Sequence, residues 1–273
     1  MKPTSPQLEG SLKAVELPSE SAAPIPPVPM TEFGVARTHR EVLDCWKLVH
    51  QCYTESGLID ANSFGVHTSR QAASPSSAVI YGRTQGRIDS TLTVIADGPE
   101  GLPLDKVYKP TLDQLRNNGH KLVEVGLLAD ARINHSRFSM EQTFGTMRYG
   151  LYRAYYAQAD IVIGVHPRHA AFYNRMMGLE VIGPLSEHPS VKHRPVLLMR
   201  LDINRIRLEP TPRLLRYIKA NPVDQVEFDQ RFSFSKVSMS RSVISQYLNH
   251  MEFQQKFSRF QTPAAIQPIQ QIR

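Results

Sequence analysis

Residues 121–129, Lys-Leu-Val-Glu-Val-Gly-Leu-Leu-Ala, form a mostly apolar run that contains a single acidic residue, Glu124. A short run of this composition is typical of a β-strand that is covered on both faces. Downstream, a helical pattern over residues 141–157 is followed by a second short apolar strand at 161–165. Desolvation in such a strand would raise the pKa of a carboxyl group towards neutrality, so Glu124 is the first candidate for chemistry.

Outward from this run, the hydrophobic pattern predicts alternating strands and helices over residues 31–203. Strands are predicted at residues 33–35, 78–81, 88–96, 121–129, 161–165, 179–182 and 196–203. Helices are predicted at residues 41–57, 104–118, 141–157 and 167–178. This order of elements predicts a mixed α/β (α+β) fold. The first strand is not followed by Gly-x-Gly-x-x-Gly, which disfavours a dinucleotide-binding fold, and a Walker loop is absent from the sequence.

Three regions of the chain differ in character. Residues 1–30 are rich in Pro and Ser and predict a disordered leader, because such a segment cannot form a packed core. Residues 31–203 carry the α/β pattern and predict the folded domain. Residues 204–273 predict a helical C-terminal extension, with amphipathic helices at 211–220 and at about 240–260.

The 273 residues carry 32 Lys and Arg against 25 Asp and Glu, a net charge of +7. This excess fits an acidic protein, an anionic cofactor, nucleic acid or a membrane surface, and does not choose among them. Cys45 and Cys52 lie on one predicted helix at a separation of about 10 Å, too far for a disulfide, so we expect reduced thiols. We expect a cytoplasmic protein, because the sequence has neither a secretory signal nor an apolar run that could span a membrane.

Two groups of motifs resemble a known family. The stretch from His166 to Glu180, His-Pro-Arg-His-Ala-Ala-Phe-Tyr-Asn-Arg-Met-Met-Gly-Leu-Glu, resembles the strand-five to helix-four signature of the GNAT superfamily of N-acyltransferases. His166 replaces an Asn of that signature, and Tyr173 stands at the position of its Tyr. Upstream, residues 89–94, 101–105 and 121–129 resemble the N-acyl amino acid synthases of the long-chain N-acyl-tyrosine type, which are related to the acyl-homoserine-lactone synthases.

The resemblance covers residues 31–203 and carries expectations for both the fold and the reaction. It implies a GNAT-like mixed central sheet, with splayed fourth and fifth strands and helices on either side. It also implies transfer of a long-chain fatty acyl group from the thioester of acyl carrier protein to the amino group of an amino acid. The expected partners are therefore a carrier protein and an amino acid, and we expect no nucleic acid.

The same resemblance implies roles for individual residues. Glu124 falls where the lactone synthases carry a strand-four Glu, which implies a base for the attacking amine; a solvent-facing or Arg-paired Glu is the alternative. Tyr173 is implied as the proton donor to the departing thiolate, although its spacing also suits a core aromatic. Gly126 suits either a bulge that offers a backbone N–H to the oxyanion or close packing. The other residues expected to bind substrate are Val125, Leu127, Val165, His166 and Arg168.

The donor is predicted from a departure from the family pattern. Acetyl-CoA-dependent relatives carry a Q/R-x-x-G-x-G/A loop after strand four, and the nearest match here is residues 142–147, Gln-Thr-Phe-Gly-Thr-Met. A Met in the last place would crowd a backbone that must touch phosphate. The pattern therefore favours acyl-phosphopantetheine on a carrier protein over acetyl-CoA, with no permanently bound cofactor. The basic residues expected to meet the acidic carrier surface are Arg148, Arg153, Lys192 and Arg194.

Two other functions remain open at this point. The chain could be an acetyl-CoA-dependent N-acetyltransferase, or a GNAT-like binding protein without catalysis whose basic C-terminal helices contact nucleic acid or a membrane. The histidines at 166, 169, 188 and 193 match the spacing of no recognised metal site, so no metal is expected.

Overall fold

The computed structural model describes residues 31–131, 139–208, 222–229 and 242–260. Its strands are β1 Thr31–Val35, β2 Ala78–Thr84, β3 Arg87–Ala96, β4 Leu122–Asp130, β5 Asp160–Val165, β6 Glu180–Val181, β7 Ser186–His188 and β8 Arg194–Leu201. Its α-helices are α1 His39–Glu55, α2 Asp105–Asn117, α3 Ser139–Ala157, α4 Pro167–Met177, α5 Ile203–Leu208, α6 Val226–Asp229 and α7 Val243–Phe260. The predicted helix at 211–220 and the predicted leader at 1–30 lie outside the described residues.

The strands form one open mixed sheet in the order β1-β2-β3-β4-β5-β8-β6, with β7 paired to β8. β4 and β5 run parallel, and the other pairs of neighbouring strands are antiparallel. The connection from β4 to β5 passes through α3, as a parallel pair requires. The predicted mixed α/β fold is thereby confirmed.

The parallel contact between β4 and β5 is short. It pairs residues 122–124 of β4 with residues 160–162 of β5, and it ends at Glu124 although both strands continue. On its other edge β4 stays paired with β3 as far as Asp130. The two strands therefore part after Glu124, which confirms the predicted splay of the fourth and fifth strands.

A β-bulge in β4 accompanies this separation. Thr93 pairs with Gly126 and Thr91 with Ala129, so two β4 residues, Leu127 and Leu128, stand opposite a single β3 residue. A bulge of this kind bends its own strand and increases the local twist. The bend lies in the part of β4 that has left β5.

Apolar side chains cover both faces of the sheet. α1 and α2 pack on one face, where Trp46 is fully buried, and α3 packs on the other, where Leu151 is buried. Thr38 and Glu41 form a capping box that fixes the start of α1. The described parts of the C-terminal segment join both cores, because Tyr247 packs on the α1–α2 side and Phe228 on the α3 side.

Some predicted boundaries shift for local reasons. The strand predicted at residues 78–81 runs on to Thr84, so the connection to β3 is a two-residue turn at Gln85 and Gly86, both with positive φ. Between the strands predicted at residues 179–182 and 196–203, the structure has an additional short strand, β7. Within the described ranges no helix is long and apolar enough to cross a membrane, and both cysteines are free.

Candidate active site

The space between the parted halves of β4 and β5 is a narrow apolar cleft of about 110 Å³. β4 and β5 form two of its walls, and α1, α3 and α4 contribute further side chains. Four of the predicted substrate-binding residues line this cleft, and so does the predicted proton donor. These residues are Val125, Gly126, Leu127, Val165 and Tyr173.

Glu124 lies at the point where the two strands part. Its side chain is only 6% exposed, so the expectation of a buried carboxyl group is confirmed, and Oε2 accepts a hydrogen bond from the backbone N–H of Leu104 at 2.8 Å. Oε1 accepts no hydrogen bond from the described residues, and it lies 3.7 Å from the position that a Cβ on Gly126 would occupy. One carboxyl oxygen is thus held while the other is directed towards a residue of the cleft.

The electrostatic environment of Glu124 suits proton transfer near neutral pH. Burial raises the pKa of Glu124 to about 8, partly offset by the Leu104 N–H and by nearby Lys106, while Asp105 and Asp97 oppose ionisation. Such a carboxyl group changes protonation state in the range where an amine must lose its proton. The arrangement can therefore accept a proton from a nucleophile in the cleft.

Leu104 reaches Glu124 because the backbone of β5 allows a close approach. A Cβ on Gly164 would come within 2.7 Å of the Leu104 side chain, so the absence of a side chain at Gly164 leaves room for the segment that precedes α2. The predicted pattern contains no signal for this contact, since Leu104 contributes its backbone N–H rather than its side chain.

Two tyrosines from different helices line the cleft. Tyr173 comes from α4 and Tyr53 from the end of α1, and both line the cleft. Burial raises the pKa of each phenol, so both hydroxyl groups stay protonated at neutral pH. A protonated hydroxyl group at this place can donate a proton to a leaving group. Tyr53 belongs to the helix predicted at residues 41–57, but no motif in the sequence marked it as a residue of the cleft.

His166 and Arg168 do not line the cleft. The His166 ring caps α4, since Nδ1 accepts a hydrogen bond from the Arg168 backbone N–H at 3.3 Å. The exposed Arg168 side chain turns to His169, with 3.0 Å between Nε and Nε2. Both residues follow β5 directly, so they lie at the mouth of the cleft and not within it.

The left-handed residue of the bulge is Leu127 and not Gly126. Leu127 has φ of 51°, whereas the φ of Gly126 lies outside the left-handed region and a side chain there would meet no close contact. A non-glycine residue in this conformation costs on the order of 1–3 kcal/mol, and such strain is concentrated at functional sites. A bulge, one of the two alternatives considered for Gly126, is present in β4, but its unusual conformation falls on Leu127, one position after Gly126.

The basic residues predicted to meet a carrier protein separate into two groups. Arg153 is 8% exposed and donates a weak hydrogen bond to the Ser76 carbonyl oxygen at 3.5 Å, before the start of β2. Burial removes Arg153 from any docking surface. Arg148 lies on α3 beside the Tyr149 ring, 5.7 Å from its centre. Lys192 and Arg194 are exposed at the start of β8, beyond the end of β5 where Arg168 also lies.

The glycine of the predicted phosphate-loop remnant has a packing role. Gly145 lies inside α3, and a Cβ there would overlap the Phe33 ring of β1. From the same helix, Met147, Gly150 and Leu151 line the cleft, whereas Tyr155 is 42% exposed. No group of three or more His, Cys, Asp or Glu side chains within the described residues could hold a metal ion.

A mixed sheet with helices on both faces and a cleft between its fourth and fifth strands defines the GNAT-like class of acyltransferases. Within that class, the sequence matches the profile of the N-acyl amino acid synthase FeeM over residues 44–202, more than half of the chain. The chain belongs to this family and is an N-acyltransferase.

Two solved structures illustrate the likeness. FeeM, an N-acyl amino acid synthase from uncultured soil microbes, is 23% identical in sequence to this chain. The match covers 67% of this chain and 95% of the FeeM chain, with a TM-score of 0.60. The CoA-dependent acyl-homoserine lactone synthase BjaI, solved with MTA, is 11% identical in sequence to this chain. The match covers 71% of this chain and 92% of the BjaI chain, with a TM-score of 0.50. No curated protein sequence matches the chain.

Proposed function

We propose that the protein transfers a long-chain fatty acyl group from the phosphopantetheine thioester of acyl carrier protein to the amino group of an amino acid. The observation that carries this proposal is Glu124 at the fork of β4 and β5, buried but with one oxygen free, beside an apolar cleft. Such a cleft admits a thin apolar chain and excludes water from the reacting atoms.

The proposed chemistry follows from the groups that surround the fork. The acceptor ammonium first loses one proton to water, and the neutral amine nitrogen then attacks the thioester carbonyl carbon while ionised Glu124 takes a second proton from it. The oxyanion that forms accepts a hydrogen bond from the β4 backbone beyond Glu124, a segment that has no pairing with β5. When the C–S bond breaks, Tyr173 gives its proton to the thiolate. The products are an amide and a free thiol, and proton exchange with water resets both residues.

The choice of a carrier protein as donor rests on the mouth of the cleft. Arg168, Lys192 and Arg194 are exposed there. Lys192 pairs with Asp60 at 2.6 Å, whereas Arg194 makes no ion pair with the described residues. Basic side chains at this place fit the acidic surface of a carrier protein. The packing of Gly145 against Phe33 supports the same choice, because the remnant of the CoA-type loop is committed to the helix interior.

The donor and the acceptor can be identified in one experiment. The purified chain is incubated with the proteinogenic amino acids and, in separate reactions, with dodecanoyl and hexadecanoyl carrier protein, the same acyl-CoA thioesters, and acetyl-CoA. Mass spectrometry is expected to detect an N-fatty-acyl amino acid from the carrier-protein reactions. Products from acetyl-CoA alone would contradict the proposal, and equal rates from acyl-CoA would contradict its donor.

The docking surface has its own control. Arg194→Glu is expected to raise KM for acyl carrier protein about tenfold or more, because it replaces attraction by repulsion at the mouth. Lys47→Glu makes the same change of charge on an exposed residue of α1, beside the β2–β3 hairpin, and is expected to leave KM unchanged. Equal effects of the two variants would mean that net charge, and not this surface, governs donor binding.

A further inference from the structure

The C-terminal helix α7 packs on the face of the sheet that carries α1 and α2. Ile244, Tyr247 and Leu248 recur at helical spacing and are buried in that core, with Tyr247 only 2% exposed. An ion pair between Arg70 and Glu252 fastens the next turn of the helix to the segment that follows α1. The family match ends at residue 202, so α7 is a part of this chain that the family profile does not describe.

A series of three rings connects α7 with the cleft. The Tyr247 hydroxyl oxygen lies 3.2 Å from Nδ1 of His67. The His67 ring in turn lies beside the Tyr53 ring, with 5.4 Å between the ring centres and a tilt of 45° between the planes. Tyr53 is one of the residues that line the cleft. A buried hydroxyl group of α7 is therefore two contacts away from the wall of the site.

The backbone and the ring of His67 are held by different helices. The His67 backbone N–H donates to the Trp46 carbonyl oxygen of α1 at 3.2 Å, which places the segment on that helix. Burial lowers the pKa of His67 to about 4, so the imidazole is neutral at pH 7 and one of its nitrogens is an acceptor. The Tyr247 hydroxyl group is suited to donate to it. The orientation of the His67 ring beside Tyr53 thus depends on α7.

Tyr53 lies on the same face of the sheet as the Glu124 carboxyl group. Val123 and Val125 of β4 pack in the core on the α3 side, so Glu124 between them points to the α1–α2 side, where the Leu104 N–H binds it. Most of the apolar side chains that line the cleft belong to the core on the α3 side. An acyl chain among those side chains leaves the α1–α2 face, with Tyr53, to the acceptor.

We infer that Tyr247 is a positioning residue of the active site: through His67, it holds the Tyr53 ring on the side from which the acceptor amino acid reaches Glu124. The inference rests on the proposed function and gives the C-terminal segment a part in acceptor binding. Without the hydroxyl contact the His67 ring is free to turn, and Tyr53 loses the neighbour that fixes its position. Binding of the acceptor then weakens, whereas the acyl chain on the α3 side is unaffected.

The test removes a single hydroxyl group. Tyr247→Phe keeps the buried ring and loses the contact with His67. The acceptor is the amino acid that yields an N-acyl product with the wild type. We expect its KM to rise about three- to tenfold, the range of one neutral hydrogen bond, with kcat and KM for the acyl donor unchanged. The matched control is Tyr156→Phe, which removes a 2.7 Å hydrogen bond to the Val223 carbonyl oxygen on the α3 side and should change neither KM.

A second variant tests the route through His67. His67→Phe keeps a ring beside Tyr53 but has no atom that can bond to the Tyr247 hydroxyl group. If Tyr247 acts through His67, the double variant has the same acceptor KM as His67→Phe alone. The inference alone would be overturned by an unchanged acceptor KM in Tyr247→Phe, by an equal rise in Tyr156→Phe, or by effects that multiply in the double variant. The absence of any acyl transfer by the wild type would overturn the proposed function, and this inference with it.

Discussion

Two buried carboxyl groups lie at opposite ends of the short parallel contact between β4 and β5, and their surroundings differ. Asp160, at the closed end, is 2% exposed and is fully partnered: Arg200 and His120 approach Oδ2 at 2.7 and 3.0 Å, and the Ile203 N–H donates to Oδ1 at 2.9 Å. Glu124, at the open end, accepts one hydrogen bond from a described residue.

The comparison shows that burial by itself does not distinguish a structural acid from a reactive one. The Asp160 charge is neutralised by Arg200, so it holds the sheet, the start of α5 and β8 together. Glu124 has a desolvated carboxyl group with a free oxygen and a raised pKa, a combination that costs stability and supplies reactivity. The number of hydrogen-bond and ion-pair partners, rather than the depth of burial, distinguishes Asp160 from Glu124.

The largest expected effect is on activity at the open end. Glu124→Gln keeps the shape of the side chain and can keep the bond to the Leu104 N–H, but it cannot take a proton. We expect kcat/KM to fall by about 10²–10⁴-fold, the range of general base catalysis, with the fold unchanged by circular dichroism. If the variant keeps a third or more of the wild-type rate, Glu124 is not the base.

The matched change at the closed end should act on stability. Asp160→Asn leaves the Arg200 charge without its main buried partner, and we expect the free energy of unfolding to fall by about 3–5 kcal/mol in urea titrations. The rate per folded molecule should stay within about twofold of the wild type. A large loss of rate in fully folded protein would remove the distinction between the two acids.

The pH dependence of stability gives a third comparison. The folded-state pKa of Glu124 is raised to about 8, so between about pH 5 and 8 the unfolded chain ionises at this residue while the folded chain does not. The wild type should therefore lose stability as pH rises, whereas Glu124→Gln has no carboxyl group to ionise at this position. Relative to the wild type, the free energy of unfolding of Glu124→Gln should rise by on the order of 2–4 kcal/mol by pH 8. Parallel stability curves for the two proteins would show that the carboxyl group is not desolvated.

The smallest of these effects is expected at Tyr173. Tyr173→Phe removes the hydroxyl group that faces the cleft and keeps the ring, which packs 5.4 Å from the Phe172 ring centre. We expect kcat to fall about tenfold with KM for both substrates unchanged, because the thiolate must then leave without a proton donor. The alternative role, a core aromatic, predicts an unchanged kcat and is tested in the same measurement.

The helices and strands around the fork could be predicted because the spacing of apolar residues and the capping residues are local features of the sequence. The apolar run with Glu124 became β4, and Pro167 and Gly178 delimit α4, where Gly178 has φ of 76°. The predicted α1 begins two residues early in the structure, at His39, because Thr38 and Glu41 form the capping box. Local spacing and capping are sufficient to locate such elements.

The parts that could not be predicted depend on contacts between distant segments. The hydrogen-bond donor to Glu124 is the backbone N–H of Leu104, and a backbone group cannot be recognised from the residue type. Leu104 lies close to Glu124 because Gly164 has no side chain to exclude it. Arg153 was expected on the carrier-protein surface, whereas the structure buries it against the segment before β2 and exposes Tyr155 two residues later. The domain boundary at residue 204, the disordered leader and the cytoplasmic location remain predictions.

The central claim is that Glu124 is the base at the fork of β4 and β5, and the pH dependence of kcat/KM tests it most directly. The account predicts that kcat/KM of the wild type rises with an apparent pKa near 8 and then levels, and that Glu124→Gln shows a low rate without this inflection. Tyr53 and Tyr173, with pKa values raised by burial, do not titrate in this range. An inflection near pH 8 that persists in Glu124→Gln would contradict the account, because the group that titrates there would not be Glu124.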